Sequence, residues 1–139
     1  MSQSREWTFG THRARLESAD VLVFQLTGPI SLSDAHELVR VFQQAACNGP
    51  LYAVVRFSDT SSNKEVRAYI AQNLRARWLQ GVVLSGAGPL QKASLKAVLI
   101  SLYLTGWDVP VEFVDSEAQA HALIARLRLQ APRKARRAA

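Results

Sequence analysis

Val21-Leu22-Val23-Phe24-Gln25-Leu26-Thr27-Gly28-Pro29-Ile30 is the stretch that decides the fold. Its apolar residues run almost unbroken, as in a strand covered on both faces, and Gly28-Pro29 marks its end. Upstream, Trp7–Ser18 reads as a single strand of irregular alternation, with Arg13 and Arg15 set against Ala14 and Leu16. Ala19-Asp20 then turns the chain into Val21, which makes a hairpin the simplest arrangement. Downstream, Ser31-x-x-Asp34 has the spacing of a capping box. Ala35, Leu38, Phe42 and Ala45 follow at helical period, and Asn48-Gly49-Pro50 stops that helix.

The same strand-then-helix unit recurs. Leu51–Phe57 is a second core strand, Ser58–Asn63 a polar loop, and Ser62-x-x-Glu65 a second capping box. That box opens a helix with Val66, Tyr69, Ile70 and Leu74 on one face. Leu79–Leu84 is a short buried strand, and Ser85-Gly86-Ala87-Gly88-Pro89 turns it into a helix over Leu90–Thr105, with Gly106 as its C-cap. Val109–Val114 is the last strand, and Ser116-x-x-Gln119 caps a final helix that buries Ala120, Leu123, Ile124 and Leu127. The order β-β-α-β-α-β-α-β-α predicts one α/β domain over residues 1–131, a mostly parallel mixed sheet with flanking helices. Residues 132–139 read as a basic, disordered tail.

The chain of 139 residues is long enough to bury a stable core without staples. Its 48% hydrophobic and 20% charged residues are those of an ordinary globular domain. One cysteine, Cys47, excludes an internal disulfide and fits a reducing compartment. The first residues show no apolar signal core, and the longest apolar run, Leu95–Leu104, is too short to span a bilayer and includes Lys96. These features predict a cytoplasmic protein without a transmembrane segment. Of the formal charge of +6, four units come from Arg133, Lys134, Arg136 and Arg137, so the rest of the chain stands at only +2. The basic balance belongs partly to the tail, and nucleic acid is not the expected partner despite Arg126 and Arg128 nearby.

A search for chemistry returns little. His12, His36 and His121 lie on different elements without metal-ligand spacing, and read as surface or half-buried structural residues. No serine stands on a Gly-x-Ser-x-Gly elbow. The Ser85–Pro89 loop lacks both the dinucleotide and the P-loop pattern, so it reads as a tight turn, although Lys92 and Lys96 follow it. Cys47 reads as a small buried hydrophobe. Neither a catalytic constellation, nor a metal site, nor a cofactor motif emerges, and the chain is expected not to be an enzyme. The helix over 90–105 is apolar nearly all round, which implies a helix buried centrally, a homodimer face or one wall of a lipid-like pocket. Ser58, Thr60, Ser61 and Ser62, followed by Lys64 and Arg67, form the one cluster with a regulatory character.

With that cluster, the order of elements resembles the STAS superfamily, the SpoIIAA-like fold of bacterial anti-anti-sigma factors. The resemblance covers roughly Val21–Leu129 and rests on four phrases. They are Leu26-Thr27-Gly28-Pro29-Ile30-Ser31, Leu51-Tyr52-Ala53-Val54-Val55-Arg56-Phe57-Ser58, the run from Trp78 to Ala87, and the run from Pro110 to Ala120. The resemblance implies a non-catalytic regulatory module whose loop serine is phosphorylated by a partner kinase to control partner binding. Ser62 is the best match to that serine, with Ser61 and Thr60 next, and Asn63 stands where the family pattern has glycine. Ser58, Asp59, Lys64 and Arg67 would then touch the protein partner. The alternative is a carrier or sensor of a small lipid-like ligand, with Leu95, Leu99, Leu102 and Tyr103 as pocket wall or as a dimer face.

Overall fold

This computed structural model describes residues 5–104 and 106–138, with the side chains of all of these except residues 101 and 130–138. Among the described residues, six strands form one sheet in sequential order: β1 (Glu6–Phe9), β2 (His12–Ser18), β3 (Val21–Pro29), β4 (Leu51–Ser61), β5 (Leu79–Ser85) and β6 (Val111–Val114). Both pairings within β1-β2-β3 are antiparallel, and β3 through β6 pair in parallel. Four α-helices are described: α1 (Leu32–Ala45), α2 (Lys64–Asn73), α3 (Pro89–Leu104) and α4 (Glu117–Ala138). The mixed, mostly parallel sheet is the expected one.

The expected single first strand is two. Gly10 and Thr11 fold it into a hairpin, because Gly10 takes φ +58 and the Thr11 hydroxyl donates to the Thr27 carbonyl at 2.5 Å. A side chain at Gly10 would also run into the Asp34 carboxylate. At the other end, α4 continues through Pro132 to Ala138, where the sequence reading expects a tail. After Pro132 that segment is made of Arg, Lys and Ala alone, and all are strong helix formers.

Two apolar layers hold the sheet. On one face Leu22, Phe24, Leu26, Leu51 and Ala53 pack against Ala35, Leu38 and Phe42 of α1 and Val66 of α2. On the other, Val21, Val23, Tyr52, Val54 and Val83 meet Ala120, Leu123 and Ile124, the face expected for the last helix. Arg128 clamps this side by pairing with Asp20 at 2.5 Å and lying over the Tyr52 ring. Burial, and then the Asp20 charge, push the Tyr52 phenol above its ordinary pKa, with Arg128 acting the other way. The capping box of α1 is complete: Ser31 Oγ accepts from Asp34 N, and Asp34 Oδ2 accepts from Ser31 N.

Histidine burial departs from expectation at one position. His12 is 1% exposed, with Nδ1 accepting from Thr27 N at 3.1 Å and Nε2 lying 3.2 Å from Asp34 Oδ2. Pairing of β2 with β3 is what carries this polar residue inside, against the start of α1. His36 is exposed and stacks on Tyr69, and His121 is exposed beside Glu17. Cys47 is exposed rather than buried, because the chain leaves the α1 spiral in a short 3-10 turn over Ala46–Asn48.

Candidate functional site

The site is built at the C-terminal end of β4. Ser58 to Ser61, expected as loop, continue the strand. Ile30 N donates to Ser61 O at 2.8 Å, and Thr60 Oγ1 donates to Leu26 O at 2.7 Å while accepting from Ser58 N. These ties across to β3 substitute for apolar packing. From Thr27 to Pro29 β3 advances two positions while β4 advances three, from Ser58 to Ser61. The extra residue is a bulge, and Asp59 accommodates it at φ +49, a conformation that aspartate tolerates better than most residues. Ser58, Asp59 and Ser61 are exposed there; Thr60 and Ser62 are half-buried.

The cap of α2 is also displaced from expectation. Asn63, not Ser62, is the N-cap: its side-chain oxygen accepts from Val66 N at 2.9 Å. Asn and Ser are near-equal caps, so adjacent candidates are not separable by residue type. Asn63→Ala is expected to cost about 1 kcal/mol, and Ser62→Ala less than about 0.5 kcal/mol. Urea denaturation of both variants checks this, and the reverse ranking would return the cap to Ser62.

Release from capping leaves Ser62 facing Arg67. Arg67 Nη1 donates to Ser62 O at 2.7 Å and lies 3.3 Å from Ser62 Oγ. No described carboxylate pairs with this half-buried guanidinium. Lys64 is exposed in the first turn of α2. Gln91, near the start of α3, donates from Nε2 to Thr60 O at 2.9 Å and joins α3 to the segment.

Beneath α3 lies a cavity of 160 Å³, walled by α1, α2, α3 and the sheet. Leu95, Leu99 and Leu102 line it, but Tyr103 does not: its hydroxyl donates to Val109 O and the residue is 44% exposed. The reading of α3 as a central helix is corrected. None of its described residues is fully buried, and Leu90, Ile100, Tyr103 and Leu104 are exposed. The periodicity could not register that α3 covers the sheet beside α2 with no further element over it among the described residues. Sequence reasoning also missed the wall opposite α3, from Leu26, Val55 and Phe57 on the sheet to Ile70 and Leu74 at α2. The apolar runs of the strands and the apolar face of α2 marked these residues as core without showing that α3 stands off from them.

Gly86, in the β5–α3 turn, takes φ +79 and lies against the Phe57 backbone. Lys92 and Lys96 both extend over the Phe113 ring, so neither lysine points back at that turn. The side chains of Arg133, Lys134, Arg136 and Arg137 lie outside the described residues.

Comparison with solved structures matches this architecture to the anti-sigma factor antagonist SpoIIAA in its unphosphorylated form, at a TM-score of 0.60 and 12% identity. The match covers 83% of this chain and 98% of the other. This chain has the STAS fold. The phosphorylated form of SpoIIAA, described as a Bacillus cell fate determinant, gives a TM-score of 0.53 at 12% identity, over 82% of this chain and 99% of that one. No family model and no curated protein sequence matches the chain. At so low an identity the likeness is one of backbone path.

Proposed function

We propose that this chain is a non-enzymatic regulatory module of the cytoplasm that binds a protein partner through the Ser58–Lys64 segment, the first turn of α2 and the exposed face of α3. The observation that carries it is the pairing of Ser62 with Arg67, on a segment that Gln91 ties to the first turn of α3. A phosphate on Ser62 would sit against the guanidinium in a charge-assisted contact. It would also place up to two negative charges where an apolar partner docks. Thr60 is the weakest acceptor of the three, because its hydroxyl already holds Leu26 O. The neighbouring fold, solved both with and without phosphate, supports the same reading. No helix among the described residues is long and apolar enough to cross a membrane.

Mass spectrometry of the protein from its own cells is expected to place an added phosphate, about 80 Da, on Ser61 or Ser62. A partner recovered with it should bind Ser62→Asp at least about tenfold more weakly than Ser62→Ala, with both variants melting like the wild type. Equal binding by both variants would end the switch.

The cavity favours a second reading, a carrier or sensor of a small apolar ligand, with Leu95, Leu99 and Leu102 as one wall.

A further inference from the structure

The cavity under α3 has a direction. The polar residues of its lining are Ser62, Arg67, Gln91 and Ser94. Ser62 immediately precedes the cap of α2, Arg67 lies in its first turns, and Gln91 and Ser94 lie in the first two turns of α3. Leu74 follows the last turn of α2, and Leu102 belongs to the last turn of α3. The two helices thus present their N-terminal turns at one end of the cavity and their apolar C-terminal turns at the other. Helix N-termini favour negative charge, and the carboxyl ends of parallel strands are where open α/β sheets receive ligands.

Arg67 sets the chemistry. A guanidinium on the wall of an apolar cavity loses hydration, which costs free energy unless a counter-charge restores it. Its Nη1 is committed to Ser62 O, and no described residue accepts from its Nε or Nη2. Those N–H groups form part of the planar fork that matches a carboxylate. The volume sets the size. At 160 Å³ the cavity is close to the roughly 150 Å³ apolar cavity that accepts benzene. A body of about six carbons fills such a space.

We propose that the cavity binds a small anionic amphiphile, a carboxylate on an apolar body of about six carbons, with the head on Arg67 and the body under α3. This rests on the carrier reading and adds the charge, the size and the orientation. A phosphate on Ser62 would compete for the same guanidinium, so ligand and modification would exclude one another.

The test is titration of the full chain by calorimetry or ligand-observed NMR with hexanoate and with hexanamide, its neutral isostere. Hexanoate is expected to bind about tenfold or more tighter than hexanamide, the ratio of a charge-assisted to a neutral contact. Arg67→Gln should lower hexanoate binding by a similar factor and leave hexanamide unchanged. Leu99→Trp, which fills the cavity, should abolish both. If hexanoate and hexanamide bind the wild type equally, the anionic assignment fails and the apolar carrier reading stands. If neither binds, both fail. The wild-type comparison decides the matter even if a variant does not fold.

Discussion

Gly86→Ala is expected to destabilise the protein by about 3 kcal/mol or more, the sum of two penalties that cannot relieve one another. Gly86 takes φ +79, which an L side chain adopts only at a cost of about 1–2 kcal/mol. The added methyl would also fall well inside contact distance of the Phe57 carbonyl oxygen, with the Phe57 N and C atoms at 3.4 Å. That oxygen belongs to the backbone of β4 in the middle of the sheet, so it has no rotamer by which to withdraw. Gly88, two residues on in the same turn, has no positive φ and nothing within 4 Å of an added Cβ. Gly88→Ala is therefore expected to be neutral or slightly stabilising. Gly81 is intermediate, since its closest neighbour is the end of the flexible Leu127 side chain. Urea denaturation of the Gly86 and Gly88 variants side by side separates the two effects. A Gly86→Ala loss below about 1 kcal/mol would mean that the turn is not pressed against β4, and that α3 is not held there in the way described.

That turn also shows what the sequence could and could not convey. The glycines before Pro89 were legible as a tight βα turn because the conformational demand is local. So were the parallel strands, whose unbroken apolar runs need cover on both faces, and the Ser31–Asp34 box, whose two partners are three residues apart. What escaped reading depends on partners far along the chain. Thr60 keeps a polar segment in β4 through Leu26 O, 34 residues away. His12 is buried because β3 supplies the Thr27 amide and α1 supplies Asp34. The cap of α2 fell one residue from its expected place because serine and asparagine do the same job. Ser62, Arg67 and Lys64 were legible as one cluster, being close in sequence. Their junction with Gln91 and the cavity was not, since it depends on how far α3 stands from the sheet.

His12→Ala is expected to cost about 3 kcal/mol, although the residue touches nothing at the candidate site. The imidazole is enclosed, with its ring 5.5 Å from that of Phe9, so truncation loses apolar packing first. It also loses two hydrogen bonds. Because Nδ1 accepts the Thr27 N–H, the proton of the neutral ring sits on Nε2 and is donated to Asp34 Oδ2. The same carboxylate oxygen accepts from Ser31 N, so one side chain couples β2, β3 and the first turn of α1. Removing the ring leaves a mostly buried carboxylate with one donor fewer, which is the costly way to break a buried polar contact. Asp34→Ala should cost a similar amount, and the double variant less than the sum, with a coupling of about 1–2 kcal/mol. Strict additivity in that cycle would show that His12 and Asp34 act separately. The corner they hold is where Ile30 leaves β3 and binds Ser61 O, so loosening it should also raise amide exchange at Ile30 ahead of the β5 amides. Uniform exchange across the sheet would instead mean that His12 stabilises the fold as a whole and exerts no local hold on the end of β4.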